Sequence, residues 1–423
     1  MIFFYLLVSI MPLVNHPLWS RFVGGLTLTK FVGLACLVYA LAHCVARRSV
    51  PNVLGSWITR LFLLFYLLAV VSYFTKGDQS DWKLSSLFSY TSFLFLLFVT
   101  AAVVDTLPRL RWTLLVAIGS LAFASLYVIR EWQMYHNVFP GFRPGYITGD
   151  PNYFTLSAVL CLPVAYYIMR LEKSIWTRSF CMACLAVTLI AVMLAASRGG
   201  FLGLVAAALF IVWRSPHRIR NFVIIAACLA PLILVVPDSP VRRLLHPDYS
   251  DEWSKENRLE LWGAGVKMIE DHPLTGIGLD NFKPLVTRYE GRGGDLEKIA
   301  HNTYIEVAAE MGIPSLLLFL AILYSAFHAL GRVYKQADHS PFLITAATAL
   351  QAGLVGCLVS ITFISCQDQK LLWFLIFLAP CVESLAQVAE PEKVVESPIV
   401  MESTQEDIDY YMDQQELELA RWR

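Results

Sequence analysis

The sequence predicts an all-α polytopic membrane bundle of about twelve spans with one large loop on the outer side. Three observations carry that fold class. Hydrophobic residues make up 57% of the chain and charged residues only 16%, whereas a soluble domain carries about a quarter charged residues. Apolar runs long enough to cross roughly 30 Å of hydrocarbon recur along the chain. Lysine and arginine are dense and sparse in alternate loops, as expected of spans that thread back and forth. Mean hydropathy is +0.57.

The expected spans are 1–14, 22–46, 53–75, 83–104, 112–134, 153–169, 179–196, 200–213, 221–237, 303–331, 341–365 and 371–388. Each must be helical, because lipid offers the backbone no partner but itself. The first lacks a charged leader and a small-residue cleavage site, so it reads as a retained helix rather than a cleaved signal. The first and eighth are short. With the N-terminus in the cytoplasm, loops 47–52, 105–111, 170–178, 214–220 and 332–340 lie inside. They hold Arg47, Arg48, Arg109, Arg111, Arg170, Lys173, Arg178, Arg214, Arg218, Arg220, Arg332 and Lys335. The short outer loops hold only Arg21, Lys76, Lys83, Arg143 and Lys370. That bias places the 238–300 loop outside and both termini inside. Residues 1–390 are then the membrane domain. Residues 391–423, with Glu402, Glu406, Asp407 and Asp409, form an acidic cytoplasmic tail that is mobile or weakly helical.

The formal net charge is zero, so no basic excess points to nucleic acid; membrane lipid is the expected surround. Nine cysteines are present, nearly all in apolar segments. Cys181 and Cys184 form a C-x-x-C inside a span and read as small buried hydrophobes. The 238–300 loop has no cysteine, so no disulfide framework is expected there.

Function in a membrane protein concentrates in polar residues at span ends facing a cavity. Four outer segments qualify. His136–Tyr153 is rich in Gly, Pro and aromatics and reads as an ordered loop. Arg143 is its cation, and Asp150-Pro151-Asn152 starts a helix, with Asp as cap and Pro in the first turn. Ser197-Arg198-Gly199-Gly200 joins two apolar spans. A tight turn accounts for its glycines. The arginine suits an anion, because a guanidinium grips phosphate with two N–H groups and amides near a helix start add donors. In Glu256–Phe282, Arg258, Leu261, Trp262, Val266 and Ile269 recur at helical spacing. They give an amphipathic helix at the membrane surface, ended by Pro273 and followed by a turn at Gly276 and Gly278. His301-Asn302-Thr303-Tyr304 stands where the large loop re-enters the membrane, with Asn302 or Thr303 orienting the histidine or capping the helix. Structural alternatives stand beside each reading: snorkelling for Arg198, a solvated face for Arg258, a packing or helix-end role for His301 and His272.

Guanidinium groups and a neutral imidazole at one lipid–water boundary suit a phosphate leaving group and an alcohol nucleophile. The arginines offset charge on a departing pyrophosphate, and the histidine takes the proton of the attacking hydroxyl. Among the outer acids Asp248, Asp251, Glu252, Asp271, Asp280 and Asp295, only Asp251-Glu252 is a tight pair. The expected chemistry therefore uses no metal and no other cofactor.

The order SRGG, R-x-x-x-W, HPLTGIGLDNF and HNTYIEVAAEMGIPSLLLF, preceded by GDPNYF at 149–154, resembles the O-antigen ligase and polymerase superfamily over roughly 149–390. That superfamily includes lipopolysaccharide O-antigen ligases, O-antigen and exopolysaccharide polymerases, and bacterial O-oligosaccharyltransferases. The resemblance implies a fold of the lipid-dependent, C-type glycosyltransferase kind in the bacterial inner membrane, with a large periplasmic loop. It implies a glycan donor on undecaprenyl pyrophosphate and inverting transfer without metal. Arg198 and Arg258 are then the residues that hold the pyrophosphate, and His301 is the base. Asn152 and Asp280 match recurring polar positions, and with Arg143 and Asn302 they complete the candidate substrate contacts. The acceptor is a sugar hydroxyl, of lipid A-core or of a growing glycan. Protein-glycosylating members tend to carry a second soluble domain, and only the acidic tail follows the last span here. Ligation is therefore favoured over polymerisation. A transporter or flippase for a lipid-linked substrate is the competing class, which places the arginines at mid-bilayer; a structural envelope subunit comes third.

Overall fold

A computed structural model describes residues 1–13, 22–23, 26–75, 84–139, 141–147, 149–236, 239–245, 249–290, 298–336 and 340–388. Arg21, Lys76, Lys83, Asp248, Asp295 and the acidic tail lie outside the described residues. In chain order the elements are α1 (Ile2–Ile10), β1 (Phe22–Val23), β2 (Leu26–Thr27), α2 (Leu28–Arg47), a 3-10 turn (Asn52–Gly55), α3 (Trp57–Thr75), α4 (Leu84–Val103), α5 (Leu107–Tyr135), α6 (Pro151–Leu171), α7 (Ile175–Ala195), α8 (Arg198–Arg214) and α9 (Arg218–Val235). Then follow α10 (Pro240–Leu245), α11 (Tyr249–Asp271), α12 (Phe282–Tyr289), α13 (Thr303–Gln336), α14 (Pro341–Ser360) and α15 (Lys370–Val388). The chain is a polytopic helical membrane protein. Its two strands are a two-residue hairpin in which Phe22 faces Thr27 and Val23 faces Leu26.

Each expected span contains a helix, but the 22–46 span opens on the hairpin and is helical only from Leu28, the 341–365 span stops being helical at Ser360, and not each helix is long. Among the described residues nine helices, α2 to α7 and α13 to α15, are long and apolar enough to cross a membrane. The expected spans 1–14 and 200–213 become α1, with 9 residues, and α8, with 17. At 1.5 Å per residue they reach only about 14 and about 26 Å, short of a hydrocarbon core of roughly 30 Å.

Placement follows from which faces are apolar. On α2, Phe31, Leu34, Val38 and Leu41 recur every three or four residues and are all about half exposed or more. A helix that turns such a stripe outward belongs against lipid. On α15, every residue from Leu371 to Val382 is buried, so this helix is central. Its Trp373 packs among Phe62, Phe65, Phe93, Phe319 and Phe377 with ring centroids 5.0 to 6.0 Å away.

Two close approaches shape the region of interest. Helix α14 packs on α6 and α8. A Cβ on Gly203 would lie 2.5 Å from the Gly356 carbonyl, and one on Gly356 would lie 2.6 Å from the Gly203 carbonyl. Small residues let membrane helices come this near. Helices α11 and α12 share a core of Leu261, Ala264, Met268, Ile277, Phe282, Val286 and Ala300, closed by Ala309 of α13. The surface helix expected from Glu256 begins earlier, at Tyr249, and its buried face differs from the expected one. Val266 is 47% exposed, while Leu261, Ala264 and Met268 are buried. A Cβ on Gly265 would sit 2.4 Å from Ile305 Cγ2. The face pressed on α13 is thus partly made of residues too small to register as apolar in a spacing pattern.

Helix α13 is itself broken. Gly312 has φ 82 and ψ 165, and a break in a span frees carbonyls that need donors. The 272–281 segment supplies them: Ile277 N donates to Ala309 O at 2.9 Å and Gly278 N to Glu310 O at 3.0 Å. In return Ile313 N donates to Pro273 O at 2.8 Å. Gly276 lies at φ 68, where an added Cβ would be 2.3 Å from Glu310 O.

Candidate functional site

The α6 start is built as its sequence suggests. Asp150 Oδ1 accepts from Asn152 N at 2.7 Å and caps the helix, with Pro151 at its first position. Asn152 is buried, and its Oδ1 accepts from Ser197 Oγ at 2.7 Å and from Arg143 Nη2 at 3.4 Å. Ser197 in turn caps α8, taking Gly200 N at 3.3 Å. Arg198 is thereby fixed as the first residue of α8, beside the α6 start.

The Gly199–Gly200 pair does not make the turn. Ala196 does, at φ 50. The glycines serve packing: a Cβ on Gly200 would meet Thr155 Cγ2 at 2.2 Å, and one on Gly199 would meet Phe363 Cβ at 2.6 Å. The turn is held by two arginines. Arg143 Nε donates to Ala195 O at 3.2 Å and Arg243 Nη1 to Ala196 O at 3.0 Å. Carbonyls ending a helix lack partners and carry negative dipole charge, so guanidinium groups suit them. Arg258 reaches the same region from α11, donating Nη1 to Phe363 O at 3.1 Å.

These cations feel one another. Burial lowers Arg143 to about 10; Arg243, Arg258 and Arg198 add repulsion, and Asp150 opposes it. Arg258 is lowered by burial, then by Arg198 and Arg243, against Asp150. At about 10, Arg143 remains protonated at neutral pH. Four guanidinium groups that feel one another, with Asp150 beside them, make a positively charged cluster suited to a polyanion. None of the four lies within a span: Arg198 begins α8, Arg143 is in a loop, and Arg243 and Arg258 are on α10 and α11.

His301 joins this group. Burial and then Arg258 lower its imidazole below the ordinary 6.5, with Lys298 adding and Asp150 opposing. Both effects favour the neutral ring, the form able to accept a proton. Its backbone is left-handed, φ 50. Tyr146, Ile147, Ala196 and Asp280 also have positive φ. Such residues gather where the surroundings over-determine a conformation.

Of the expected site residues, Arg143, Asn152, Arg198, Arg258 and His301 come together. Asn302 is committed to capping α13, its Oδ1 accepting from Tyr304 N at 3.0 Å and Ile305 N at 3.1 Å. Asp280 sits on the α4 side, accepting from Ser86 Oγ at 2.6 Å. Sequence reading missed Arg243, whose only signal was a basic pair with Arg242. Trp262, read there as part of a helical stripe and of R-x-x-x-W, has a contact the spacing did not show: its Nε1 donates to Ala300 O at 3.0 Å, directly before His301.

Residues 183–320 match the model of a family described as O-antigen ligase. That stretch holds Arg198, Arg243, Arg258 and His301 but not Arg143 or Asn152. The chain is also similar to the O-antigen ligase of Pseudomonas aeruginosa strain PAO1, with 26% identity over 333 residues. The alignment covers 77% of this chain and 76% of that relative. Both findings support placement in the O-antigen ligase superfamily.

Proposed function

We propose that this protein, a membrane enzyme of the O-antigen ligase superfamily, moves a glycan from undecaprenyl pyrophosphate to a hydroxyl of lipid A-core. His301 takes the proton of the acceptor hydroxyl as its oxygen attacks the anomeric carbon. The bond from that carbon to the pyrophosphate oxygen breaks, and the electron pair leaves with the pyrophosphate. Arg198 and Arg258 offset the growing charge, with Arg143 and Arg243 behind them, so that guanidinium groups fill the role a metal plays elsewhere. Attack opposite the leaving group in a single displacement inverts the anomeric centre. The active site faces the periplasm, and both termini face the cytoplasm.

One observation carries the reading: a half-buried histidine, its pKa lowered by burial and by Arg258, lies within electrostatic reach of that arginine, which itself neighbours Arg198 and Arg243. The arginines stand at helix starts and in the extramembrane helices, which favours chemistry at the boundary over transport through mid-bilayer. Purified protein in vesicles, given lipid-linked glycan and lipid A-core, should transfer glycan to the core. Growth of the chain on the lipid carrier instead indicates a polymerase. His301→Ala should slow transfer by about 10²–10⁴-fold; a normal rate refutes the base assignment.

A further inference from the structure

We infer that Glu306 is a positioning residue that fixes His301 relative to Arg258. The inference rests on the glycan-transfer reading above. Glu306 is in the first turn of α13 and only 4% exposed. Its Oε2 accepts from Ala300 N at 3.1 Å and from Ser365 Oγ, and its Oε1 accepts from Gln367 Nε2 at 2.7 Å. A buried carboxylate is costly unless its lone pairs are filled, and three donors fill these.

The partners show what the carboxylate does. An acid in a first turn ordinarily complements the N–H groups of its own helix. Glu306 instead reaches back to the residue before His301 and across to the 365–367 turn. That turn follows Phe363, whose carbonyl accepts from Arg258. The Ala300 peptide is held on both sides, its N–H by Glu306 and its carbonyl by Trp262, one helical turn beyond Arg258 on α11. His301 follows directly in a left-handed conformation that residues other than glycine adopt only under constraint. One carboxylate thus joins the backbone that carries the base to the backbone that receives the arginine. A displacement near 1 Å between such groups slows chemistry by about 100-fold.

Glu306→Gln keeps the size and puts an amide N–H₂ where a donor now points, opening the hub without a cavity. With purified full-length protein in vesicles and lipid-linked donor varied, kcat should fall by roughly 10- to 100-fold. Donor KM should hold within about twofold, because an orienting residue acts on the chemical step. Glu306→Asp should recover part of the loss. The double variant His301→Ala/Glu306→Gln should be no slower than His301→Ala, since a residue acting through His301 has nothing further to lose. Should the losses multiply, or Glu306→Gln keep its full rate, the inference is overturned. If Glu306→Gln does not yield folded protein, Ser365→Ala, which removes one donor, should show the same non-additivity with a loss of about 3- to 10-fold. The two ideas fail separately. A fully active His301→Ala sinks the base, whereas an inactive His301→Ala beside fully active Glu306→Gln or Ser365→Ala sinks only the positioning role.

Discussion

A histidine serves as a base only while neutral, and His301 is kept so by burial and by the Arg258 cation. The sign follows directly. With a folded pKa below 6.5, the ring is base-competent above that lowered value and is lost as pH falls through it. We expect kcat/KM, which reports the unliganded enzyme, to rise with pH along one limb lying below 6.5 and to be level through neutrality. Arg258→Ala removes the repulsion, so the limb should shift upward toward 6.5; one that stays fixed or moves down contradicts this placement. Donor KM should rise by about tenfold or more, as loss of a charge-assisted hydrogen bond implies. Arg198→Lys keeps the charge but loses the paired N–H geometry, and donor KM should again rise by roughly tenfold. Arg198 and His301 stand out in the sequence as polar groups at span ends, and Arg258 stands out through the R-x-x-x-W pattern on a surface helix. Arg243 does not, since a basic pair in a long loop looks like any solvated charge. Glu306 does not either, since an acid at a helix start already has a dipole to explain it.

Among the elements, the broken α13 and the 272–281 segment are one construction. Gly312 occupies a backbone region that essentially only glycine enters, and a Cβ there would be 2.2 Å from Leu274 O. Gly312→Ala should cost about 1–3 kcal/mol or more, read as a lower midpoint of thermal unfolding. Gly33 of α2 has nothing within 4 Å of its would-be Cβ. Gly33→Ala should be neutral or stabilising by about 0.5–1 kcal/mol. If the two variants melt alike, the docking of 272–281 on the break is not structural. The turn at Gly276 and Gly278 was readable from composition, but its partner was not. Ile277 pairs with Ala309, and no short-range pattern links residues so far apart. The same limit misassigned Gly199 and Gly200, which look like turn glycines until Thr155 and Phe363 are seen against them.

At the scale of the whole molecule, the orientation proposed from loop charge makes a prediction. A cysteine introduced at Ser174, in an arginine-flanked loop, should react with impermeant reagent only from the cytoplasmic side. One introduced at Lys267, on the exposed face of α11, should react only from the periplasmic side. Reaction of both from one side would overturn the threading, measured against the unmodified chain. The order and approximate bounds of the apolar helices were determined by the sequence alone, because in lipid each apolar run must satisfy its own backbone and the rule is local. Only the tertiary structure decided that α15 is central and α2 peripheral, and that four arginines lie near one histidine. Those outcomes depend on contacts such as Arg258 with Phe363, 105 residues apart, whose geometry is set by packing between helices and is written in no single segment.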